Sequence, residues 1–243
     1  MSQRDEMDLA EWTMELKNAL EFTAHWDRHA WVMFTIWIIL VPFVVVITRF
    51  GKPRPSAEGI PKASPKLGRK LLWFTLHRAG LFLLTLASLF AGLIAIAANG
   101  GLSTSLHAFF GNTTIALGLL QLVSAWLRGT HGGRDPSIST PDQPAFIPGD
   151  HYDMSPRRRW FEAVHKTVGY FTLVSALGAV ATGLAHYWIM AIAIGLGLVV
   201  PLWAAIAIAL EAKGLRHDTY LANFGTGNHH PFNKSRMDEL TGD

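Results

Sequence analysis

Residues 168–210 read VGYFTLVSALGAVATGLAHYWIMAIAIGLGLVVPLWAAIAIAL and contain no Lys, Arg, Asp or Glu. As one helix, these 43 residues would extend about 64 Å, twice the thickness of the hydrocarbon core of a bilayer. The segment therefore predicts two membrane-spanning helices. We expect the break between them at Gly183–Trp188, where a glycine precedes polar and aromatic residues suited to a membrane interface.

Three further apolar runs precede this segment. They are Ala30–Thr48, which contains Pro42, then Ala79–Ala98, whose helix should start near Leu71, and Leu106–Leu127. Strands are not expected, because an open sheet edge cannot be left in lipid. The sequence predicts an all-α integral membrane protein with five transmembrane helices, of which the first four form an up-and-down four-helix bundle.

The composition of the 243 residues excludes several classes of protein. Only 16% of the residues are charged, against about 25% in soluble domains, and this deficit argues against disorder. Cysteine is absent, so the chain can form no disulfide, iron–sulfur cluster or covalent haem attachment of the C-x-x-C-H type. Any haem must be bound noncovalently. Nothing in the sequence indicates a nucleic-acid partner.

The loop charges predict the orientation in the membrane. Of the 21 Lys and Arg residues, 18 fall on the side of the carboxyl terminus and 3 on the side of the amino terminus, which places the amino terminus outside. We expect residues 1–28 to form an amphipathic leader on the outer face, residues 29–210 the transmembrane domain, and residues 211–243 a cytoplasmic tail. The lack of cysteine and of a cleaved signal favours a bacterial inner (plasma) membrane.

Four histidines are the candidate functional residues: His29, His77, His107 and His165. Each lies on the first turns of one of the first four helices, and alternate helices begin at the same face of an up-and-down bundle. His29 should therefore meet His107 near the outer face, and His77 should meet His165 near the cytoplasmic face. Two imidazoles from facing helices can ligate one b-type haem iron. A single histidine at a helix end is usually an interface residue, but four at matching depths favour two bis-histidine haems b.

Neighbouring residues fit this interpretation. Arg28, Arg78 and Lys166 each adjoin a proposed ligand and could bind haem propionates, although they could equally snorkel to the interface. Gly111 and Gly169 follow their histidines by four residues on the same helix face, which leaves room for a flat macrocycle. Ordinary small-residue packing between membrane helices explains these glycines too.

The other histidines are weaker candidates. His25 precedes His29 by one helical turn and competes with it as the outer ligand, and His186 could line an outer substrate site but is better explained as an interface residue. We expect surface positions for the rest, namely His131, His151, His217, His229 and His230. Basic residues of the cytoplasmic face could attract an anionic small molecule, a donor protein or anionic lipid; they are Lys66, Arg69, Lys70 and the run Arg157–Arg159.

Four segments together resemble the cytochrome b561 superfamily, in particular its ferric-chelate-reductase-like branch, in which the haem domain is associated with a DOMON domain. They are HAWVMFTIWIILVPFVVVITRF, LLWFTLHRAGLFLLTLASLFAGL, LHAFFGNTTIALGLLQLVSAWLRG and RRRWFEAVHKTVGYFTLVSALGAVATG. The resemblance covers about residues 25–210. It implies a haem-ligating histidine on each of four helices, and so nominates His29, His77, His107 and His165.

The chain departs from this family in three ways. It shows no DOMON domain, it has five predicted helices where ascorbate-using members have six, and its outer face is nearly free of basic residues. We therefore expect any outer electron partner to be another chain, and the resemblance gives little support for an outer site for ascorbate-like anions.

The predicted function is transmembrane transfer of single electrons through two haems, an oxidoreductase-type activity in which no side chain makes or breaks a bond. The donor and acceptor are expected to be an ascorbate-like reductant, a quinol or an outer-face redox protein, with lipid around the chain; a homodimer is left open. One alternative is a quinol-oxidising cytochrome b subunit of a respiratory dehydrogenase. The other is a haem-free transporter or structural protein.

Overall fold

The computed structural model describes residues 11–18, 26–57, 59–60, 64–128, 133–134, 146–147 and 156–227. Within these residues, five helices are long and apolar enough to cross a membrane. We call them spans 1 to 5 in chain order: Trp26–Phe50, Leu72–Ala98, Leu106–Leu127, Trp160–His186 and Met190–Ala212. The predicted number of membrane-spanning helices is confirmed.

The helix bounds differ from the prediction mainly at the turn between spans 4 and 5. The helix that carries span 4 runs over Pro156–His186, and span 5 begins at Met190. The turn therefore starts after His186, whereas the sequence suggested a break from Gly183 onward. Gly183 lies inside the helix, where its missing side chain leaves room for a residue of span 3, His107.

Spans 1 and 2 each contain a π-helical segment. Span 1 consists of α-helix Trp26–Phe34, π-helix Thr35–Leu40 and α-helix Val41–Phe50. Span 2 consists of α-helix Leu72–Thr75, π-helix Leu76–Gly80 and α-helix Leu81–Ala98. π-Turns are uncommon and are often found at functional sites. The π-helix in span 2 includes one of the four candidate histidines, His77.

The proline of span 1 has a compensating partner in span 5. Pro42 has no N–H and cannot donate to the carbonyl of Ile38, as a residue at that position of an α-helix would. The indole Nε1 of Trp203 donates to this carbonyl at 2.9 Å. This bond gives the Ile38 carbonyl, in the π-helical segment that precedes the proline, a partner from span 5.

Shorter elements lie outside the spans. Residues 11–18 are helical with exposed side chains, in the segment predicted to be an amphipathic leader. A pair of two-residue strands, β1 (Gly133–Arg134) and β2 (Phe146–Ile147), is antiparallel and lies between spans 3 and 4 in the sequence. The last described helix is Thr219–Phe224.

The chain divides into two compact units, and all five spans contribute to both. Unit 1 comprises Met1–Phe43, Leu81–Gly118 and Phe171–Ala205. Its apolar core contains Phe34 and Ile38 of span 1, Leu184 of span 4 and Ile192 of span 5. A buried polar contact joins spans 1 and 2, where Trp37 Nε1 donates to the Ser88 hydroxyl at 2.8 Å. Small polar residues commonly join helices in this way in membranes.

Unit 2 comprises Val44–Gly80, Leu119–Tyr170 and Ile206–Asp243. Polar contacts are prominent in it: Arg49 forms an ion pair with Glu211 at 2.9 Å. Residues after span 5 return to the loop that follows span 1, through backbone hydrogen bonds from Ile60 N to Asn223 O and from Thr226 N to Ser56 O. These bonds fix the described part of the tail to the body of unit 2.

Candidate functional site: two histidine pairs

The first histidine pair lies in unit 1. His29 is on the first turn of span 1 and His107 is on the first turn of span 3. Their ring centres are 6.1 Å apart and the ring planes stand at 85°. Trp26 contacts His29 edge to face, with 6.1 Å between the ring centres. The structure thus brings together the two side chains that helix direction had paired.

The ring of His107 is fixed by span 4. Its Nδ1 lies 2.9 Å from the carbonyl oxygen of Ala179. Because a carbonyl can only accept, Nδ1 carries the proton and Nε2 keeps its lone pair. A Cβ added at Gly183 would lie 2.9 Å from Nδ1 and 3.0 Å from Cε1 of His107. The ring is therefore held by a hydrogen bond and by close packing against the backbone at Gly183. Its Nε2 is the nitrogen available to a metal.

The second pair lies in unit 2. His77 belongs to the π-helix of span 2 and His165 to the helix that carries span 4. Their ring centres are 6.0 Å apart and the planes stand at 76°. Phe161, one turn before His165, stacks on its ring with 5.0 Å between the centres and 29° between the planes.

Side chains of span 3 hold His165. The Ser124 hydroxyl donates to the Gln121 carbonyl at 2.9 Å, and its oxygen lies 3.2 Å from His165 Nδ1. Since its hydrogen is used on Gln121, the hydroxyl oxygen accepts from Nδ1–H, which again leaves the lone pair on Nε2. The side-chain amide of Gln121 also donates to the backbone carbonyl of His165 at 2.9 Å.

Both pairs have the spacing that two ligands of one metal need. A metal–imidazole bond is about 2 Å long and a ring centre lies about 1 Å behind its nitrogen, so imidazoles on opposite sides of one metal have centres about 6 Å apart. The observed distances are 6.1 and 6.0 Å. Among the described residues, no group of three or more His, Cys, Asp or Glu side chains could hold a metal. Each pair brings two imidazoles together, which is the number of protein ligands that a six-coordinate haem would take.

The two glycines next to the pairs differ in their surroundings. Apart from its own helix backbone and chain neighbours, a Cβ added at Gly111 would have no atom of the described chain within 4 Å. A Cβ added at Gly169 would lie 4.0 Å from Gln121 Nε2. The room expected beside His107 is therefore present. The room expected beside His165 is bordered by the amide that binds its backbone.

The three cations nominated as propionate partners are exposed. Arg28 and Arg78 lie at the surface of the described structure. Lys166 is also exposed and forms an ion pair with Glu162 at 3.2 Å, one helical turn before it. Their binding to propionates stays a prediction.

The remaining histidines are placed as follows. His186 is exposed at the end of span 4, and the backbone carbonyl of His217 accepts a hydrogen bond from Lys52 Nζ at 3.2 Å. Side chains of the basic run Arg157–Arg159 are not among those described. The other histidines considered above lie outside the described residues: His25, His131, His151, His229 and His230.

Several supporting residues were not singled out from the sequence. Ser124 and Gln121 orient His165, and Gly183 accommodates His107. Polar side chains inside an apolar span are a signal that could have identified the first two, because they are scarce in membranes and usually have partners. Gly183 carried no such signal, since small residues are common wherever membrane helices pack.

The chain is similar over 162 residues, at 29% identity, to the cytochrome b561, DM13 and DOMON domain-containing protein of Arabidopsis thaliana. The aligned region covers 65% of this chain and 14% of the plant protein, so the chain spans a small part of its relative. No protein-family model and no solved structure matches the chain. The similarity supports a distant relationship to cytochrome b561 proteins and does not distinguish a branch.

Proposed function

We propose that this membrane protein transfers single electrons across the bilayer through two noncovalent b-type haems, one held by His29 and His107 and the other by His77 and His165. The observation that carries the proposal is the presence of two imidazole pairs on four different spans, each with ring centres about 6 Å apart. The partial similarity to a cytochrome b561 protein supports the same chemistry.

Haem would supply the one-electron carrier, and the protein would supply ligation and orientation. The Ala179 carbonyl and the Ser124 hydroxyl hold the two Nδ1 protons, which keeps each Nε2 free as a ligand and raises its basicity. A haem held by two histidines would have no position left for a further ligand. The residues are therefore suited to passing electrons rather than to binding oxygen.

In this proposal the amino terminus faces outward, as the loop charges predict, and the membrane is a bacterial inner membrane. The electron donor and acceptor belong to three chemical classes: an ascorbate-like reductant, a quinol or a redox protein on the outer face. Arg28, Arg78 and Lys166 would bind propionates. A subunit that takes electrons from quinol within a larger dehydrogenase would use the same haems.

Haem stoichiometry tests the proposal. The purified chain should bind two haems b by the pyridine haemochrome assay. His29→Ala, His107→Ala and their double variant should each retain one haem, because they remove the same site. The double variant His29→Ala/His77→Ala should retain none. His186→Ala is the matched control and should keep two, since His186 is exposed at a helix end.

The outcomes separate the candidate functions. A colourless wild-type protein would overturn the proposal in favour of a haem-free transporter. Loss of both haems in the His29→Ala/His107→Ala variant, with folding retained, would overturn the assignment of pairs. For the two-haem protein in vesicles, reduction by a quinol analogue and not by ascorbate would favour the respiratory subunit.

A further inference from the structure

Lys52 lies just after span 1, in unit 2, and is held by two contacts. Its Nζ is 5.8 Å from the ring centre of Trp73, and it donates to the carbonyl of His217 at 3.2 Å. Trp73 is buried and is one helical turn before His77, on the same face of span 2. A cation is thus positioned beside the second histidine pair.

The segment that supplies the carbonyl is itself fixed. We call residues 215–227 the strap. Its backbone is bonded to the loop after span 1 through Ile60, Ser56 and Ala57. Gly225 has a positive φ of 85°, and a Cβ there would collide with the Ala57 carbonyl oxygen. Since a side chain at this position would displace the strap, the close approach depends on glycine.

The charge of Lys52 is not cancelled by its bonded partner, which is a neutral carbonyl. Asp218 of the strap attracts it, while Arg49, Lys166 and Arg216 repel it. Burial and these cations lower the pKa of Lys52 from its usual value, and Asp218 opposes that shift. These cations have carboxylate partners of their own, Glu211 for Arg49 and Arg216 and Glu162 for Lys166, whereas the hydrogen-bond acceptor of Lys52 is a neutral carbonyl.

We propose that Lys52, held by the strap and by Trp73, is a positioning residue that raises the reduction potential of the haem bound by His77 and His165. This inference rests on the proposed function. One added electron lowers the charge of a bis-imidazole haem by one, so a fixed cation nearby favours the reduced form. Lys52 belongs to unit 2 with His77 and His165, whereas the first pair belongs to unit 1. We therefore expect the effect on the haem of the second pair alone.

Redox titration of the purified two-haem protein tests this proposal, with absorbance of the α-band as the readout. Lys52→Gln should lower the midpoint potential of one haem by about 59 mV. This shift corresponds to a change of about tenfold in the equilibrium constant for its one-electron reduction. Lys52→Arg should stay close to the wild type because it keeps the charge. Lys213→Gln is the matched control: it removes an exposed lysine of the same unit and should change neither potential.

The affected haem is assigned in single-haem backgrounds. Lys52→Gln should shift the potential in a His107→Ala background and not in a His77→Ala background. Gly225→Ala should give a smaller shift in the same direction, and Gly214→Ala, another positive-φ glycine without a close neighbour in the described chain, should give none. Two bound haems with unchanged potentials in Lys52→Gln, or equal shifts in both, would overturn the inference. Absence of haem from the wild type would instead overturn the proposed function.

Discussion

The two histidine pairs have nearly equal spacing, yet different kinds of groups orient them. In unit 1, His107 is held by the backbone carbonyl of Ala179 and by the bare backbone at Gly183. In unit 2, His165 is held by the Ser124 hydroxyl, by the Gln121 amide and by the stacked ring of Phe161. One ring is positioned by backbone and the other mainly by side chains.

This difference determines which substitutions each pair tolerates. The backbone carbonyl of Ala179 is not removed by a side-chain substitution, so the direct way to displace the His107 ring is to occupy the space at Gly183. A side-chain acceptor is removed by a single substitution, but Phe161 and Gln121 would still restrain His165. We therefore expect haem retention to fall most when atoms are added beside His107 in unit 1. It should fall less, and by degrees, when atoms are removed beside His165 in unit 2.

The largest effect is expected from Gly183→Ala. The added methyl would lie within 3.0 Å of two ring atoms of His107, so the ring must move and lose its bond to Ala179. Outer-shell partners of metal-binding histidines are typically worth 10–100-fold in affinity. We expect the haem content of the purified variant to fall from two toward one, measured by pyridine haemochrome.

Gly197→Ala is the control for this substitution. Gly197 lies inside span 5, and a Cβ there would meet no described atom within 4 Å beyond its own helix and chain neighbours. It should retain two haems and be about 0.5–1 kcal/mol more stable, as is usual for glycine replaced by alanine in a helix. Two haems in Gly183→Ala would contradict the steric role of this glycine.

An intermediate effect is expected from Ser124→Ala. His165 would lose its Nδ1 acceptor but keep Phe161 and the Gln121 bond to its backbone, so haem should stay bound with about 10-fold weaker retention. Competition with apomyoglobin measures this rate of haem loss. Ser175→Ala is matched, since Ser175 is also buried and donates to the Phe110 carbonyl in unit 1; it should leave the second haem unaffected. Equal loss in both variants would mean that Ser124 acts only through packing.

The sequence predicts the spans and the histidine pairing because both follow from one-dimensional patterns. Hydrophobic length gives the five spans, and alternation of helix direction gives the partners of His29 and His77. The bound of span 3, Leu106–Leu127, agrees to the residue. These inferences need no knowledge of helix rotation.

Contacts that depend on how each helix is rotated about its own axis could not be predicted from the sequence. The predicted break, Gly183–Trp188, overlaps the observed turn but starts too early, because the sequence does not show that Gly183 faces His107 of span 3 from inside the helix. The π-helix around His77 and the position of Lys52 beside Trp73 likewise result from three-dimensional packing. Propensity and spacing alone do not encode these contacts.

The smallest effect is expected from Tyr187→Phe, on an exposed contact of unit 1. The Tyr187 hydroxyl donates to Asp27 Oδ1 at 2.8 Å, and this bond, together with the negative charge of Asp27, raises the pKa of Tyr187 above its usual value of 10.0. With a raised pKa in the folded state, the bond stabilises the protein below pH 10 and is lost as the pH rises through the folded-state pKa.

Ultraviolet titration of tyrosinate measures this effect. The difference between the wild type and Tyr187→Phe should show one tyrosine that ionises later than a free tyrosine. Tyr170→Phe is the control, because Tyr170 is exposed in span 4. The haem of the first pair should be retained in Tyr187→Phe, since backbone groups of span 4 hold His107. Loss of that haem would show that the Asp27 contact positions His29, and that the two pairs differ less than the bonds to His107 suggest.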